Sequence, residues 1–537
     1  MDPALRDRTM RWIADDPDPA TRAELQQLLV RAMTGGPEDT ERLAASMAAP
    51  LAFGTAGLRG PLRAGPAGMN VAVVRRATAG LAAWLVARGQ RGGTVVVGRD
   101  ARHGSEALAR DTAGVLGAAG FAVHVLPAPL PTPLLAFAVQ RLGAVAGVQV
   151  TASHNPSQDN GYKVYLGTAD APGAQLAPPA DSEIEAAIRA APAAVSLPAD
   201  GPVREYDPTE EYLARTQTLR RTAFDLRIAL TPLHGVGGAT AVHALARSGF
   251  TDVRVVTAQA SPDPDFPTVA FPNPEEPGAT DLLLGLAAAS DADLAIALDP
   301  DADRCAVGVP TVDGWRMLSG DDTGALLGDH LLRAGSGDRL VATTVVSSSL
   351  LAKIAAAHGA RSAETLTGFK WIVRAGPGLV YGYEEALGHC VDPDAVRDKD
   401  GISAAVVLAD LAAGCKAAGT TLLDRLDELF AAHGVHRTAG LSLRMPPEAG
   451  RAAVARLAAA PPAGWEVDRP AADVLRLRRT DDDGAGARLV LRPSGTEPKL
   501  KAYLEIVEPP DADVAAARDR ADARLAALRA ETEELLA

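Results

Sequence analysis

Gly143-Ala144-Val145-Ala146-Gly147-Val148-Gln149-Val150 runs straight into Thr151-Ala152-Ser153-His154-Asn155-Pro156. The first half is an apolar run of strand length, and it stops abruptly in small and polar residues. A serine there sits at the carboxyl end of a buried strand, where open α/β sheets place their ligands. Asn155-Pro156 turns the chain rather than letting the strand continue. Ser, Asn and Pro are also common turn formers, so an ordinary strand-to-loop turn accounts for this stretch taken alone. Two further stretches argue otherwise: Asp299-Pro300-Asp301-Ala302-Asp303-Arg304, and Arg492-Pro493-Ser494-Gly495-Thr496-Glu497-Pro498-Lys499.

Around the serine stretch, short apolar runs alternate with helical segments. Helices are expected near 70–89, 105–120 and 132–142, and strands at Thr94 to Gly98 and Phe121 to Val125. That βαβα order predicts a largely parallel sheet with helices on both faces. The pattern returns twice. A strand from Leu226 to Leu230 leads into the Gly-rich turn 231–238, and a strand from Asp293 to Leu298 ends in Asp299. A third unit carries a strand from Leu340 to Val346, the loop Thr367-Gly368-Phe369-Lys370 and Tyr383-Glu384-Glu385-Ala386. Beyond about 436 the alternation at Val474 to Leu477 and Leu489 to Leu491, closed by a helix over 511–536, reads as a smaller α+β domain. Residues 1–50 read as amphipathic helix, with Trp12, Ile13, Leu25, Leu28, Leu29 and Leu43 on the apolar side. The expected domains are 1–205, 206–312, 313–435 and 436–537.

Length agrees: 537 residues exceed one hydrophobic core, and three or four domains are expected. A net charge of −14 argues against general affinity for nucleic acid or anionic membrane, though a focused cationic cleft remains compatible with it. Met1-Asp2-Pro3 does not open a signal peptide, no membrane span is expected, and Cys305, Cys390 and Cys415 read as reduced thiols. The expectation is a cytoplasmic protein with no obligate protein partner.

Asp299, Asp301 and Asp303 alternate at a strand end, and carboxylates so close repel one another unless a cation lies between them. A hard divalent ion suits them, and Mg2+ leaves positions open for phosphate oxygen. Arg492, Ser494, Thr496 and Lys499, with Gly495 between, offer cations, hydroxyls and backbone N–H groups to a phosphate. Phe53-Gly54-Thr55-Ala56-Gly57-Leu58-Arg59-Gly60 can bring backbone amides and a guanidinium to an anion. Only seven lysines stand against 46 arginines, and four of them (Lys163, Lys370, Lys399 and Lys499) lie in polar loop stretches. Together these supply a hydroxyl nucleophile, a metal and a second phosphate site, which is what phosphoryl transfer requires. No Gly-x4-Gly-Lys-Ser/Thr occurs, which argues against a P-loop NTPase.

The set FGTAGLRG (53–60), TASHNPSQDNGYKVY (151–165), DPDADR (299–304), YEEALG (383–388) and RPSGTEPK (492–499) resembles the α-D-phosphohexomutase superfamily, in its order and across nearly the whole chain. The resemblance implies three related α/β domains with mixed, mostly parallel sheets and a C-terminal α+β phosphate-binding domain around a central cleft. It implies a phosphoryl group carried on Ser153, Mg2+ held by Ser153, Asp299, Asp301 and Asp303, and catalytic roles for His154, Lys163, Arg304 and Arg59. Thr55, Thr367, Gly368, Lys370, Glu384, Arg492, Ser494, Gly495, Thr496 and Lys499 are the implied substrate-binding residues. The implied reaction converts glucose 1-phosphate to glucose 6-phosphate through a bisphosphate, with glucose 1,6-bisphosphate as activator. Many members carry Glu-x-Ser in the sugar loop. Glu384-Glu385-Ala386 lacks that hydroxyl and looks more like the phosphoglucomutase-2/phosphopentomutase branch, so pentose and mannose phosphates stay open. Outside the mutase class, a phosphatase would release inorganic phosphate, and a sugar-phosphate sensor would bind without turnover.

Overall fold

The computed structural model describes residues 1–169, 171–493 and 499–536. These form two compact units: Met1–Arg316 with Asp392–Ala409, and Met317–Val391 with Asp410–Ala537.

In the first unit, strand Ala146–Val150 is buried at all five positions, as an apolar run flanked by strands on both sides should be. It pairs in parallel with Thr94–Arg99, which pairs in parallel with Ala122–Val125. On its other side the long strand Asp159–Thr168 returns antiparallel, and Leu58–Pro61 adds antiparallel beyond it. The register sets Gln149 opposite Lys163 and Arg59 opposite Gly161. Helices Val71–Ala87 and Ser105–Ala118 contribute Leu81, Leu85 and Leu116 to a core shared with Val95, Val97, Val148 and Val164. The second sheet repeats the plan. Leu294–Leu298 is wholly buried and parallel to Arg227–Thr231, and Cys305–Thr311 returns antiparallel beside it. In both sheets the loop between central strand and return strand holds the residues singled out for chemistry.

The N-terminal segment forms three helices, Pro3–Asp15, Pro19–Met33 and Pro37–Ser46. Each has proline in its first turn, and Asp2 and Asp18 cap two of them by accepting from the amides of Ala4 and Ala20. Leu5, Leu25, Leu28 and Leu43 bury against one another in a separate small core.

In the second unit, strand Leu340–Thr344 is parallel to both Arg361–Thr365 and Leu379–Glu384, and Gly388–Cys390 returns antiparallel. The last sheet is antiparallel, ordered Val435–Arg444, Lys499–Glu508, Gly486–Pro493, Val474–Thr480, Glu466–Ala471, with helices Pro447–Ala459 and Val514–Leu536. Val345 and Val346 pack with Val474 and Val490, so these two sheets share buried apolar surface. Strand Gly314–Met317 forms the edge of the second sheet. The structure departs from the sequence reading at the expected loop 367–370, which turns into a short helix, Phe369–Ile372. Among the described residues, no single helix is long and apolar enough to cross a membrane.

Strand Leu58–Pro61 docks only because Gly57 has φ +76° and no side chain; a Cβ there would lie 1.8 Å from the Tyr162 carbonyl oxygen. Gly57→Ala is expected to destabilise the protein by at least about 1 kcal/mol and to loosen Arg59. Denaturant unfolding checks the loss.

Candidate active site

Ser153 leaves the central strand in a left-handed conformation, φ +53°, and is only 3% exposed. A serine persists there only where its surroundings over-determine the backbone. Those surroundings centre on Arg102. Its guanidinium donates to the carbonyls of Ser153 (2.6 Å), Asn155 (2.5 Å), Pro156 (2.7 Å) and Asp159 (3.2 Å). Asp100 stands behind it, with Oδ2 3.4 Å from Arg102 Nε, while Oδ1 accepts from the Arg102 amide and the Ser105 hydroxyl. The Thr151 hydroxyl takes the Ser153 amide at 2.9 Å. Asp100 and Ser105 read from sequence as turn and cap residues, and Arg102 carried no signal among so many arginines.

The serine hydroxyl donates to Asp299 Oδ2 at 2.8 Å. Asp299, Asp301 and Asp303 are all buried, with one ligand oxygen from each within 4.8 Å of the others. Lys163, on the return strand, bridges Asp301 Oδ2 (2.6 Å) and Asp303 Oδ2 (2.9 Å). Lys399 lies 3.4 Å from the same Asp303 oxygen. Thr132 grips Asp301 twice, hydroxyl to carboxylate at 2.5 Å and amide to carbonyl at 2.9 Å. The Arg304 amide donates to Asp299 Oδ1 at 3.0 Å. The Gly-rich turn 231–238 backs this loop: Val236 N–H donates to the Pro300 carbonyl, and a Cβ on Gly235 would lie 2.4 Å from Pro300 Cα. Gly235 and Gly237 serve close packing against the acidic loop.

Burial and the neighbouring Asp301 and Asp303 charges push the Asp299 carboxyl far above its usual range. Burial works the same way on Asp303, but Lys163, Lys399 and Arg304 outweigh it and hold that carboxyl low. Burial opposes the Lys163 ammonium, yet Asp301 and Asp303 win and keep it charged. His154 Nδ1 lies 3.5 Å from the serine hydroxyl, and Arg304, burial and Arg59 push the imidazole down to about 2, so it is neutral near pH 7. Arg59 reaches the loop through Asn155 Oδ1 at 2.9 Å. Asp301 Oδ1 and Asp303 Oδ1 are buried with no hydrogen-bond partner. Two orphaned carboxylate oxygens beside a serine hydroxyl fit a hard divalent cation.

The first unit therefore gathers Ser153, His154, Lys163, Arg59, Arg304 and the three aspartates, and adds Arg102, Thr132 and Lys399. Thr55 sits in the turn between Gly54 and Gly57, four residues before Arg59. The second unit carries the rest. Glu384 ends strand Leu379–Glu384, and Gly368, at φ +107°, precedes the short helix bearing Lys370, with Thr367 just before it. Arg492 lies at the end of Gly486–Pro493, opposite Lys501, and Lys499 opens the partner strand. Arg492 hydrogen-bonds the Tyr503 phenol. Ser494, Gly495 and Thr496 lie outside the described residues.

Four family models match in sequence order. Phosphoglucomutase/phosphomannomutase α/β/α domains I, II and III match residues 50–194, 210–313 and 319–433, and the C-terminal domain of that family matches 444–524. The chain belongs to the phosphoglucomutase/phosphomannomutase family. A Haemophilus influenzae protein named "Probable phosphomannomutase" is 43% identical, covering 83% of this chain and 95% of its own. The mouse phosphopentomutase is 32% identical over 95% of this chain and 91% of its own. The crystal structure of a Thermus thermophilus protein described as a "putative phosphomannomutase" superposes with a TM-score of 0.70 at 26% identity, covering 89% of this chain and all of that one. This family member is accordingly an isomerase, a phosphosugar mutase.

Arg102→Ala would strand Asp100 in the interior and strip four carbonyls of their donor. The expected cost is roughly 3–5 kcal/mol, read from denaturant midpoints, with mutase activity falling in parallel as the Ser153 turn relaxes.

Proposed function

We propose that this mutase works through a phosphoryl group on Ser153 and converts glucose 1-phosphate to glucose 6-phosphate by way of a bound bisphosphate. The observation that carries the reading is the Ser153 hydroxyl, 2.8 Å from Asp299 within a buried cluster of three aspartates. When bound, a divalent ion on Asp299, Asp301 and Asp303 supplies charge neutralisation for the transferring group. In the first half-reaction the P–O bond to Ser153 breaks, a P–O bond to a sugar hydroxyl forms, and the hydroxyl gives up its proton. In the second, the other phosphate returns to Ser153. Lys163, charged and held by Asp301 and Asp303, is the group assigned to hand its proton to the departing Ser153 oxygen and to recover the one the sugar hydroxyl gives up. Neutral His154 orients the serine oxygen, and Arg304 and Arg59 offset charge on the phosphoryl oxygens. Glu384 takes sugar hydroxyls, and Arg492 with the 494–496 loop holds the phosphate that stays behind.

A pentose phosphate is the second reading. Ala386 offers no hydroxyl, and a relative spanning 95% of this chain carries the phosphopentomutase name. One hydrogen bond contributes about 1 kcal/mol, so its loss shifts discrimination by only about fivefold. Comparing kcat/KM on glucose, mannose and ribose 1-phosphates, each with its bisphosphate as activator, decides the sugar. Ser153→Ala is expected to lower turnover on the order of 10³-fold or more with the melting temperature unchanged. Retained turnover would remove Ser153 from the mechanism, and release of inorganic phosphate would make the enzyme a phosphatase. Arg492→Ala is expected to raise KM for every sugar monophosphate by about tenfold or more, a bidentate charge-assisted contact contributing roughly 1.5–3 kcal/mol. Steady-state kinetics at fixed activator check it.

A further inference from the structure

Two adjacent carboxylates, Glu384 and Glu385, end the third sheet's strand, and the reaction above employs only the first. The second is turned inward. Glu385 Oε2 accepts from Ser347 Oγ at 2.9 Å and from Thr344 Oγ1 at 3.2 Å, and the Glu385 amide donates to the same Ser347 oxygen at 3.3 Å. Ser347 and Thr344 are themselves hydrogen-bonded at 2.8 Å, and both are fully buried. The backbone is equally confined: a Cβ on Gly320 would lie 1.9 Å from the Glu385 carbonyl oxygen, and Leu387 completes the turn at φ +64°.

We propose that Glu385 is a positioning residue, whose carboxyl latches the Glu384 loop to the end of strand Leu340–Thr344 through Ser347 and Thr344. The charges around it explain why the proton stays. Glu384 adjoins it, and Asp321 faces it from helix Gly320–Ala334, already engaged by the Ser348 amide, the Tyr383 phenol and the Thr438 hydroxyl. From the last sheet, Tyr503 lies within electrostatic reach of Glu385 and hydrogen-bonds Arg492. Burial, then Glu384 and Asp321, push the Glu385 carboxyl up to about 7. Ionisation at higher pH sets Glu385 against Glu384, and the loop that presents Glu384 loosens. The latch ties substrate grip to a proton that leaves near neutrality.

The inference rests on the assignment of Glu384 to sugar hydroxyls, so the test reads both activity and stability. Glutamine keeps the shape and the acceptor oxygen and cannot ionise. Glu385→Gln is expected to stay within about threefold of wild type at pH 6.5 and to abolish the alkaline fall of kcat/KM near pH 7. Glu385→Ala should raise KM about tenfold with a smaller change in kcat, and Ser347→Ala should add little to it in the double variant. The stability arm needs no substrate. A carboxyl whose folded pKa exceeds the ordinary 4.5 makes the folded state bind more protons than the unfolded one. The stability it contributes is therefore full below about 4.5 and lost as pH rises toward 7. Urea midpoints should show a steeper decline over that range in wild type than in Glu385→Gln, where Asp299 and Asp321 still contribute. An alkaline limb that survives in Glu385→Gln, a Gln variant as damaged as the Ala variant, or identical pH-stability curves would overturn the latch. Absent wild-type turnover on every sugar phosphate would instead overturn the function proposed above, leaving the stability arm to judge the latch alone.

Discussion

Three carboxylates buried at the end of one strand are the constraint on which the first unit depends. Isolated charges in such a place are prohibitively unfavourable, so each must be paired, hydrogen-bonded, metal-bound or protonated. Asp301 and Asp303 are met by Lys163, Asp303 also by Lys399, and Asp301 by Thr132, while Asp299 takes the serine hydroxyl and the Arg304 amide. The same demand explains why Asp392–Ala409, late in the chain, belongs to the first unit. That segment brings Lys399 to Asp303, and it is secured by Arg215 on Asp392 at 2.7 Å, Gln175 on Asp398 at 3.1 Å and the Tyr212 phenol on Asp400 at 2.8 Å. Gly401 then begins a helix with its amide on the Ala302 carbonyl, where a Cβ would lie 2.4 Å from the Arg304 carbonyl oxygen.

The three α/β sheets solve one geometric problem in one way. Each has a parallel strand that ends in a loop, followed by a strand returning antiparallel: Ala146–Val150 with Asp159–Thr168, Leu294–Leu298 with Cys305–Thr311, and Leu379–Glu384 with Gly388–Cys390. The return strand holds both ends of the loop at fixed spacing, so side chains between them are rigidly presented. Ser153 and Asp299 meet because the first two such loops face one another within one unit. In the second unit, Glu505 gathers Ser348, Ser349, His436 and Arg488, which ties the strand leading from Lys499 to the end of strand Leu340–Thr344.

Much of this was legible in the residues. Strand Ala146–Val150, interrupted only by Gln149, and the run ending at Asp299 showed their burial as apolar stretches, and the loops after them declared their chemistry by composition. What escaped was whatever looked ordinary locally. Arg102 is one arginine among 46, and only its four carbonyl partners set it apart. The Gly-rich turn 231–238 carried no specific signal in sequence, and its role is set by Gly235 lying against Pro300. Strand Gly314–Met317 was missed because an exposed edge strand four residues long carries little periodic signal.

The sequence by itself determined which segments are strands buried on both faces, which loops are built of acids, hydroxyls and cations, and that a phosphosugar mutase was the class to expect. Only the tertiary structure decided which charges meet. Ser153 and Asp299 stand 146 residues apart, and Lys163 and Asp301 stand 138 apart. Local patterning is a matter of neighbours within a turn or a strand. The pairing of buried charges instead follows from where distant strand ends converge, because only there does the cost of desolvation force each carboxyl to find a cation or a hydrogen-bond donor.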